Sequence, residues 1–268
     1  MKLETLVATM NRSNFDFLNK MNISTSAIII NQNTTEKIDY IGSKREKKVI
    51  STTDIGLSKS RNLALKHAQG DVCVIADDDV IYDNDYVEKI KKAHLDYPNA
   101  DIIAFQVDRF GNPNRKKNFR TQSSWDNYIT SMKISSVEIT FKRKSILKNN
   151  IWFNENIGAG TEFPNGEESV FLYESLNSGL SILYLPIKIG SVDISDSTWY
   201  KGYDNKHFQA IGAKFYNMTR RYYWVLILQF SIRKYSEYRK TSSFINAVKQ
   251  MYKGKKQYAI RYEKTNLK

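Results

Sequence analysis

The chain has 268 residues, 41 Lys and Arg against 28 Asp and Glu, a net charge of +13, and one cysteine. That length suits one large α/β domain with or without an appendage. A lone cysteine, Cys73, excludes an internal disulfide framework and fits a reducing, cytoplasmic setting. The chain contains no 18-residue apolar run that would read as a membrane span, and Met1-Lys2-Leu3-Glu4-Thr5 lacks the apolar segment of a signal peptide.

In chain order, Leu3 to Thr9 reads as a first strand, followed by the polar turn Asn11-Arg12-Ser13. A short helix over 14–21 places Phe15, Leu18 and Met21 on one side. Ala27 to Ile30 is a second buried strand ending in the polar loop Asn31 to Thr35, and Val49-Ile50-Ser51 is a weaker third. Gly56 opens a helix over 57–69 with Leu57, Ala64, Leu65 and Ala68 on one face, and Gly70 stops it. Val72 to Ala76 follows as a continuous apolar run, the pattern of a central strand covered on both faces. This alternation predicts a parallel sheet with crossover helices. The first strand is not followed by Gly-x-Gly-x-x-Gly, which argues against a dinucleotide site. Gly56-Leu57-Ser58-Lys59-Ser60-Arg61 lacks the Walker spacing of a nucleoside triphosphatase.

Further on, Asp83 or Asn84 is expected to cap a helix through His94, whose imidazole, like that of His67, should face solvent. A strand over 101–107 precedes a long polar, basic loop over 109–127, of the kind that carries function. A strand over 137–141 and a helix over 142–149 come next. The glycine-rich loop from Asn156 leads into a helix over Glu167–Asn177, and the last strand is Ile182–Leu185. Asn165 and Glu168 have the spacing of a capping box.

The central strand runs directly into Asp77-Asp78-Asp79, at the carboxyl edge where open α/β sheets place ligands. Three adjacent anions near a protein interior repel one another, and a divalent cation or a ring of donors is the usual compensation. Hard oxygen ligands favour Mg²⁺ or Mn²⁺ with phosphate completing the shell. The plainer reading is an acidic loop capping a strand.

Two stretches together resemble the family-2 inverting glycosyltransferases of GT-A fold. The first runs Gly56-Leu57-Ser58-Lys59-Ser60-Arg61-Asn62, Gly70-Asp71-Val72 and Asp77-Asp78-Asp79; the second is Asn165-Gly166-Glu167-Glu168-Ser169-Val170-Phe171. The resemblance implies a Rossmann-related, mixed but mostly parallel sheet flanked by helices. It further implies a UDP-sugar or similar donor, Mn²⁺ or Mg²⁺, and single-displacement transfer to a glycan or lipid-linked acceptor in surface polysaccharide synthesis. On that pattern Asp77 contacts ribose or metal, Asp79 binds metal, and Asp78 contacts the sugar. Thr9, Asn11, Asn31 and Arg61 serve the nucleotide. Glu168 matches the general base, with Glu167 the second candidate; Asp193 or Asp196 could complete the metal shell. His207 falls in a segment that could close over the donor.

Charge divides the chain. Residues 214–268 hold 14 Lys/Arg and two acids, Glu237 and Glu263, a net of +12, whereas residues 1–213 hold 27 and 26, a net of +1. The expected organisation is a catalytic domain over 1–213 and a basic helical extension over 214–268. The apolar, aromatic run from Phe215 to Lys234, flanked by the basic pairs Arg220-Arg221 and Arg233-Lys234, is too short to span a bilayer. It suits a helix lying on an anionic membrane surface at the inner face of the cell membrane, or one packing on the catalytic domain or a second copy of the chain. Rival readings are a sugar-phosphate nucleotidyltransferase, which would need a glycine-rich basic loop after the first strand, and a nucleic-acid binder using the tail, for which no recognised module is present.

Overall fold

The computed structural model describes all residues except 44–45, 113–116, 196–201 and 264–268. The first half consists of β1 (Leu3–Met10), α1 (Phe17–Lys20), β2 (Ser26–Gln32), β3 (Lys37–Ile41), β4 (Lys47–Thr52), α2 (Leu57–His67), β5 (Val72–Asp77), β6 (Val80–Tyr82) and α3 (Tyr86–Asp96). The second comprises β7 (Ile102–Phe110), β8 (Ser124–Asp126), β9 (Ile139–Lys142), α4 (Arg143–Lys148), α5 (Glu167–Asn177) and β10 (Ile182–Asp193). Four helices close the chain: α6 (Asn205–Met218), α7 (Tyr223–Arg233), α8 (Tyr235–Tyr238) and α9 (Phe244–Tyr258).

The described strands join one mixed sheet in the order β3-β4-β2-β1-β5-β9-β7-β10-β6, with β8 added on β10. The longest ladders, β1 with β2 and β5, β2 with β4, and β7 with β10, are parallel. The antiparallel ones are shorter. Register pairs Thr9 with Asn31, Ala8 with Asp77 and Asn31 with Ser51, so the carboxyl ends of four parallel strands finish at one edge. Apolar residues on both faces of these strands explain the uninterrupted runs: Val7, Ile29 and Val74 enter one core, Leu6, Ile30, Cys73 and Ile75 the other.

Several elements differ from the sequence expectation. The edge strand β3 has Ile38 exposed and gives no burial signal. Strand β10 continues to Asp193 rather than ending at Leu185, because register shifts between Tyr184 and Gly190 carry it past Pro186, which has no N–H to give. The N-cap of α3 is Asp85. His94 does not face solvent: it is buried, with Nε2 2.9 Å from Thr140 Oγ1. Burial, with Lys142 nearby, pushes its pKa down to about 4.

The step in charge at 213/214 falls inside α6. This helix packs on α5, α7 and α9, and a third core forms where Phe208, Phe215, Ile227, Phe230 and Met251 meet Ile157, Phe163, Val170 and Tyr173. Helices α6 and α9 touch backbone to backbone. A Cβ on Gly212 would run into the Met251 carbonyl, and one on Gly254 into the Gln209 carbonyl. The apolar run of the tail is therefore a helix with one face in this core.

Candidate active site

At the carboxyl edge a cleft of about 200 Å³ is lined by Ala8, Thr9, Met10, Gln32, Ile55, Leu57, Asp77, Asp78, Ala159 and Gly160. Its glycines are steric requirements. Gly56, at φ +134, caps α2 and accepts a close approach from Gly160, at φ +84, whose Cβ would lie 3.1 Å from Gly56 Cα. Gln32 Oε1 accepts from the Gly56 N–H at 2.8 Å, and the Leu57 N–H donates to the Ala159 carbonyl at 2.9 Å. The glycine-rich loop is thus sewn to the start of α2, making a mostly apolar slot with carboxylates along one side.

The carboxylates are held in different ways. Asp78 accepts from Thr9 Oγ1 and from Arg12 Nη2 at 2.7 Å. Asp77 Oδ1 accepts from Arg61 Nη2 at 2.9 Å, and Arg61 Nη1 donates to Glu167 Oε1 at 2.9 Å. Arg61 is buried beneath the cleft, with Phe153 5.5 Å from its guanidinium carbon. Nearby Asp77 and Glu167 hold it charged against the cost of burial. Burial and neighbouring Glu168 push the Glu167 carboxyl up, and the contact with Arg61 opposes them. Asp79, at the tight β5–β6 turn, forms neither an ion pair nor a side-chain hydrogen bond among the described residues. Its surroundings and the charges of Asp77, Asp78 and Asp193 push its pKa up to about 7.

Glu168 stands beside this network in the first turn of α5. The capping box is not formed: the N-cap is Gly166 at φ +91, no side chain caps the helix, and Glu168 is half-buried without a hydrogen bond among the described residues. The helix N-terminus itself favours a carboxylate there. The Lys214 stem from α6 lies across Gly166, where a Cβ would displace it. Glu168 and Glu167 favour its ammonium while burial depresses it. On the other side Lys117 pairs with buried Glu138, and it too feels Glu168.

Of the residues expected from sequence, Thr9, Asp77 and Asp78 line the cleft, and Arg61 and Glu167 lie under it. The buried Asn31 side chain accepts from the Arg12 N–H at 3.0 Å and donates to the Arg12 carbonyl at 2.9 Å. It pins the turn that carries Arg12. Asn11, at φ 54, bonds through its N–H to the Gln32 carbonyl in the same turn. His207 packs edge-on against Tyr203 in the appendage core. Asp193 accepts from Ser195, and Asp196 lies outside the described residues. Arg12, Gln32 and Lys214 were not singled out as site residues. Only Arg12, in the polar turn after β1, had a local sequence signal.

Among the described residues no group of three His, Cys, Asp or Glu side chains is arranged as a metal cage. Asp79, next in sequence to the two carboxylates that line the cleft, is the member of the triplet without a side-chain partner among the described residues.

Residues 27–162 match the family model described as glycosyl transferase family 2. No curated protein matches the sequence. Among solved structures, S. aureus TarS 1-349 in complex with UDP-GlcNAc is similar at a TM-score of 0.66 and 14% identity, over 95% of this chain and 81% of that one. The same protein in complex with UDP gives 0.61 and 16%, with the same coverage. A further crystal structure of TarS 1-349 gives 0.60 and 15%, over 90% and 74%. At these identities the likeness is one of fold.

Proposed function

The chain belongs to glycosyl transferase family 2, and from that premise we propose that it moves a sugar from a nucleotide-diphosphate sugar, a UDP-sugar, to a glycan or lipid-linked acceptor with inversion. The observation that carries this reading is the continuous link from cleft to acceptor helix: Asp77 to Arg61 to Glu167, with Glu168 free beside it. TarS, the similar solved structure, is seen with UDP-GlcNAc and with UDP.

In this reading the nucleoside occupies the slot between Met10, Ile55, Leu57 and Gly160, with Thr9 and Asp78 on its polar side. Glu168 takes the proton from the acceptor hydroxyl as its oxygen attacks the anomeric carbon. The bond from that carbon to the diphosphate breaks on the opposite face, and the nucleoside diphosphate leaves with the bonding pair. Asp79 would hold Mn²⁺ or Mg²⁺, with Asp77 behind it, and the ion supplies positive charge for the leaving diphosphate. Arg61 holds Asp77 and Glu167 in fixed orientation, so donor and acceptor walls keep their spacing. The setting we assign is cytoplasmic, peripheral to the inner face of the cell membrane, in surface polysaccharide synthesis. The lone buried cysteine and the +12 tail support it.

Thermal shift with UDP, GDP, CDP and dTDP, with and without Mn²⁺, tests the reading. One nucleotide should raise the unfolding temperature in a Mn²⁺-dependent way through mass action on the native state. Absence of a shift with every nucleotide would remove the donor assignment.

A further inference from the structure

Helix α7 is apolar on two faces. Ile227, Phe230 and Ser231 are buried against α6 and α9. The adjoining side exposes Trp224 at 47%, Val225 at 41%, Leu228 at 39% and Ile232 at 68%. At 100° per residue these four fall within one 100° arc of the helix, a continuous stripe rather than scattered side chains. Tyr222 and Tyr235, also exposed, stand at its two ends. A contiguous apolar patch of this kind on a folded surface marks a contact site.

The charge flanking the stripe in sequence is mostly positive. Between residues 219 and 243 the chain holds Arg220, Arg221, Arg233, Lys234, Arg239 and Lys240 against the single acid Glu237, a net of +5 from six cations less one anion. All except half-buried Lys234 are exposed. Eleven residues make a helix roughly 16 Å long, about half a hydrocarbon core, and no described helix is long and apolar enough to cross a membrane.

From these observations we infer that the outer face of α7 is a docking surface for an anionic lipid bilayer. Trp224, Val225, Leu228 and Ile232 enter the headgroup boundary, and the flanking arginines and lysines bind lipid phosphates. Apolar burial plus attraction to anionic headgroups is the recognised driving force for a helix lying in the interface. Aromatic residues at the ends suit the headgroup level. A second copy docking through the same face would bring five like charges against these, which disfavours isologous self-association here.

The placement also bears on the transferase reading, on which the following consequence rests. Arg233, at the end of α7, is close enough to Lys214 to depress its pKa, and Lys214 lies over the first turn of α5 beside Glu168. The docked helix is thus joined to the proposed active site through α6, which packs on both α5 and α7.

The experiment is vesicle sedimentation of the full chain with phosphatidylcholine alone and with phosphatidylcholine containing 30% phosphatidylglycerol. Light scattering and nucleotide thermal shift are measured on the same preparations. Wild type should pellet with the anionic vesicles and not with the neutral ones, and salt should release it. Arg221→Gln with Arg233→Gln should lower partitioning about tenfold or more, and Leu228→Glu with Ile232→Glu should abolish it. Each variant should keep the thermal shift of wild type, since the changed side chains are exposed. Failure of wild type to pellet, or equal pelleting by the variants, overturns the proposal. So does a wild-type dimer that Leu228→Glu with Ile232→Glu converts to monomer without any vesicle binding. Pelleting without any nucleotide shift would instead strike the donor reading and leave the docking face standing.

Discussion

Arg61 Nη1 lies 2.9 Å from Glu167 Oε1, yet Arg61 Nε and Glu167 Oε2, both buried, have no hydrogen-bond partner among the described residues. The pair is enclosed and only partly satisfied, and removing Arg61 leaves Glu167 buried without its ion-pair partner. Arg61→Met should cost roughly 3–5 kcal/mol of stability. Arg61→Met combined with Glu167→Leu should recover most of it, because replacing both partners with apolar groups is often neutral. Urea unfolding with an unchanged slope on denaturant reads this directly. The double variant should remain impaired in nucleotide binding, since Asp77 has lost the group that orients it.

Replacing the proposed base separates chemistry from binding. Glu168→Gln should lower kcat by about 10²–10⁴ while the UDP-dependent thermal shift stays as in wild type, because Glu168 does not line the donor cleft. Glu167→Gln should act differently, lowering stability through Arg61. Equal kcat in wild type and Glu168→Gln would remove Glu168 from the mechanism.

For Asp79 the informative variable is pH. Its carboxyl is pushed up to about 7, so a divalent cation competes with a proton near neutrality. The Mn²⁺-dependent part of the thermal shift should grow from pH 6 to pH 8 and vanish in Asp79→Asn. A metal effect that survives the substitution at full size would place the ion elsewhere.

His94 predicts an acid sensitivity independent of the site. Its folded pKa lies near 4, below the ordinary 6.5, so the unfolded chain binds the proton more readily. Stability should therefore be complete above about pH 6.5 and fall as pH drops towards 4. In His94→Gln the slope of unfolding free energy against pH across that window should be shallower. An unchanged slope would show that His94 is not its source.

At Gly212 helix propensity and packing oppose each other. Alanine in place of glycine ordinarily favours a helix by nearly 1 kcal/mol. Here its Cβ would meet the Met251 carbonyl, so Gly212→Ala should destabilise by about 1–3 kcal/mol instead. Gly254→Ala should do the same through Gln209. A raised unfolding temperature in either variant would mean that the crossing is looser than the backbone contact indicates.

Much of the donor half could be read from the chain because its signals are local. Apolar runs such as Val72 to Ala76 mark strands covered on both faces, and parallel pairing then brings Thr9, Asn31 and Asp77 to one edge. What the pattern could not supply were relations between distant elements. Arg61 sits on a helix of ordinary polar composition, and its burial follows only when α5 delivers Glu167, 106 positions later. The capping-box spacing of Asn165 and Glu168 misled, because Gly166 adopts the left-handed conformation and starts the helix itself. The expectation that His94 faces solvent fails because Thr140 on β9 offers its imidazole a buried partner. The charge step at 213/214 suggested a boundary where the backbone has a continuous helix.

The reciprocal glycines of α6 and α9 also impose an order on the birth of the protein. Gly212 and Gly254 are 42 positions apart (254 − 212), so at translation rates of about 5–20 residues per second α6 waits roughly 2–8 s for the helix that fills its notch. Through that interval the face of α6 that receives α9 lacks its cover, while every described strand of the sheet has already been made. A nascent chain thus holds a completed sheet edge before the α6–α9 crossing can close. A chaperone recognising that unfinished intermediate would find its exposed surface on α6, not on the sheet.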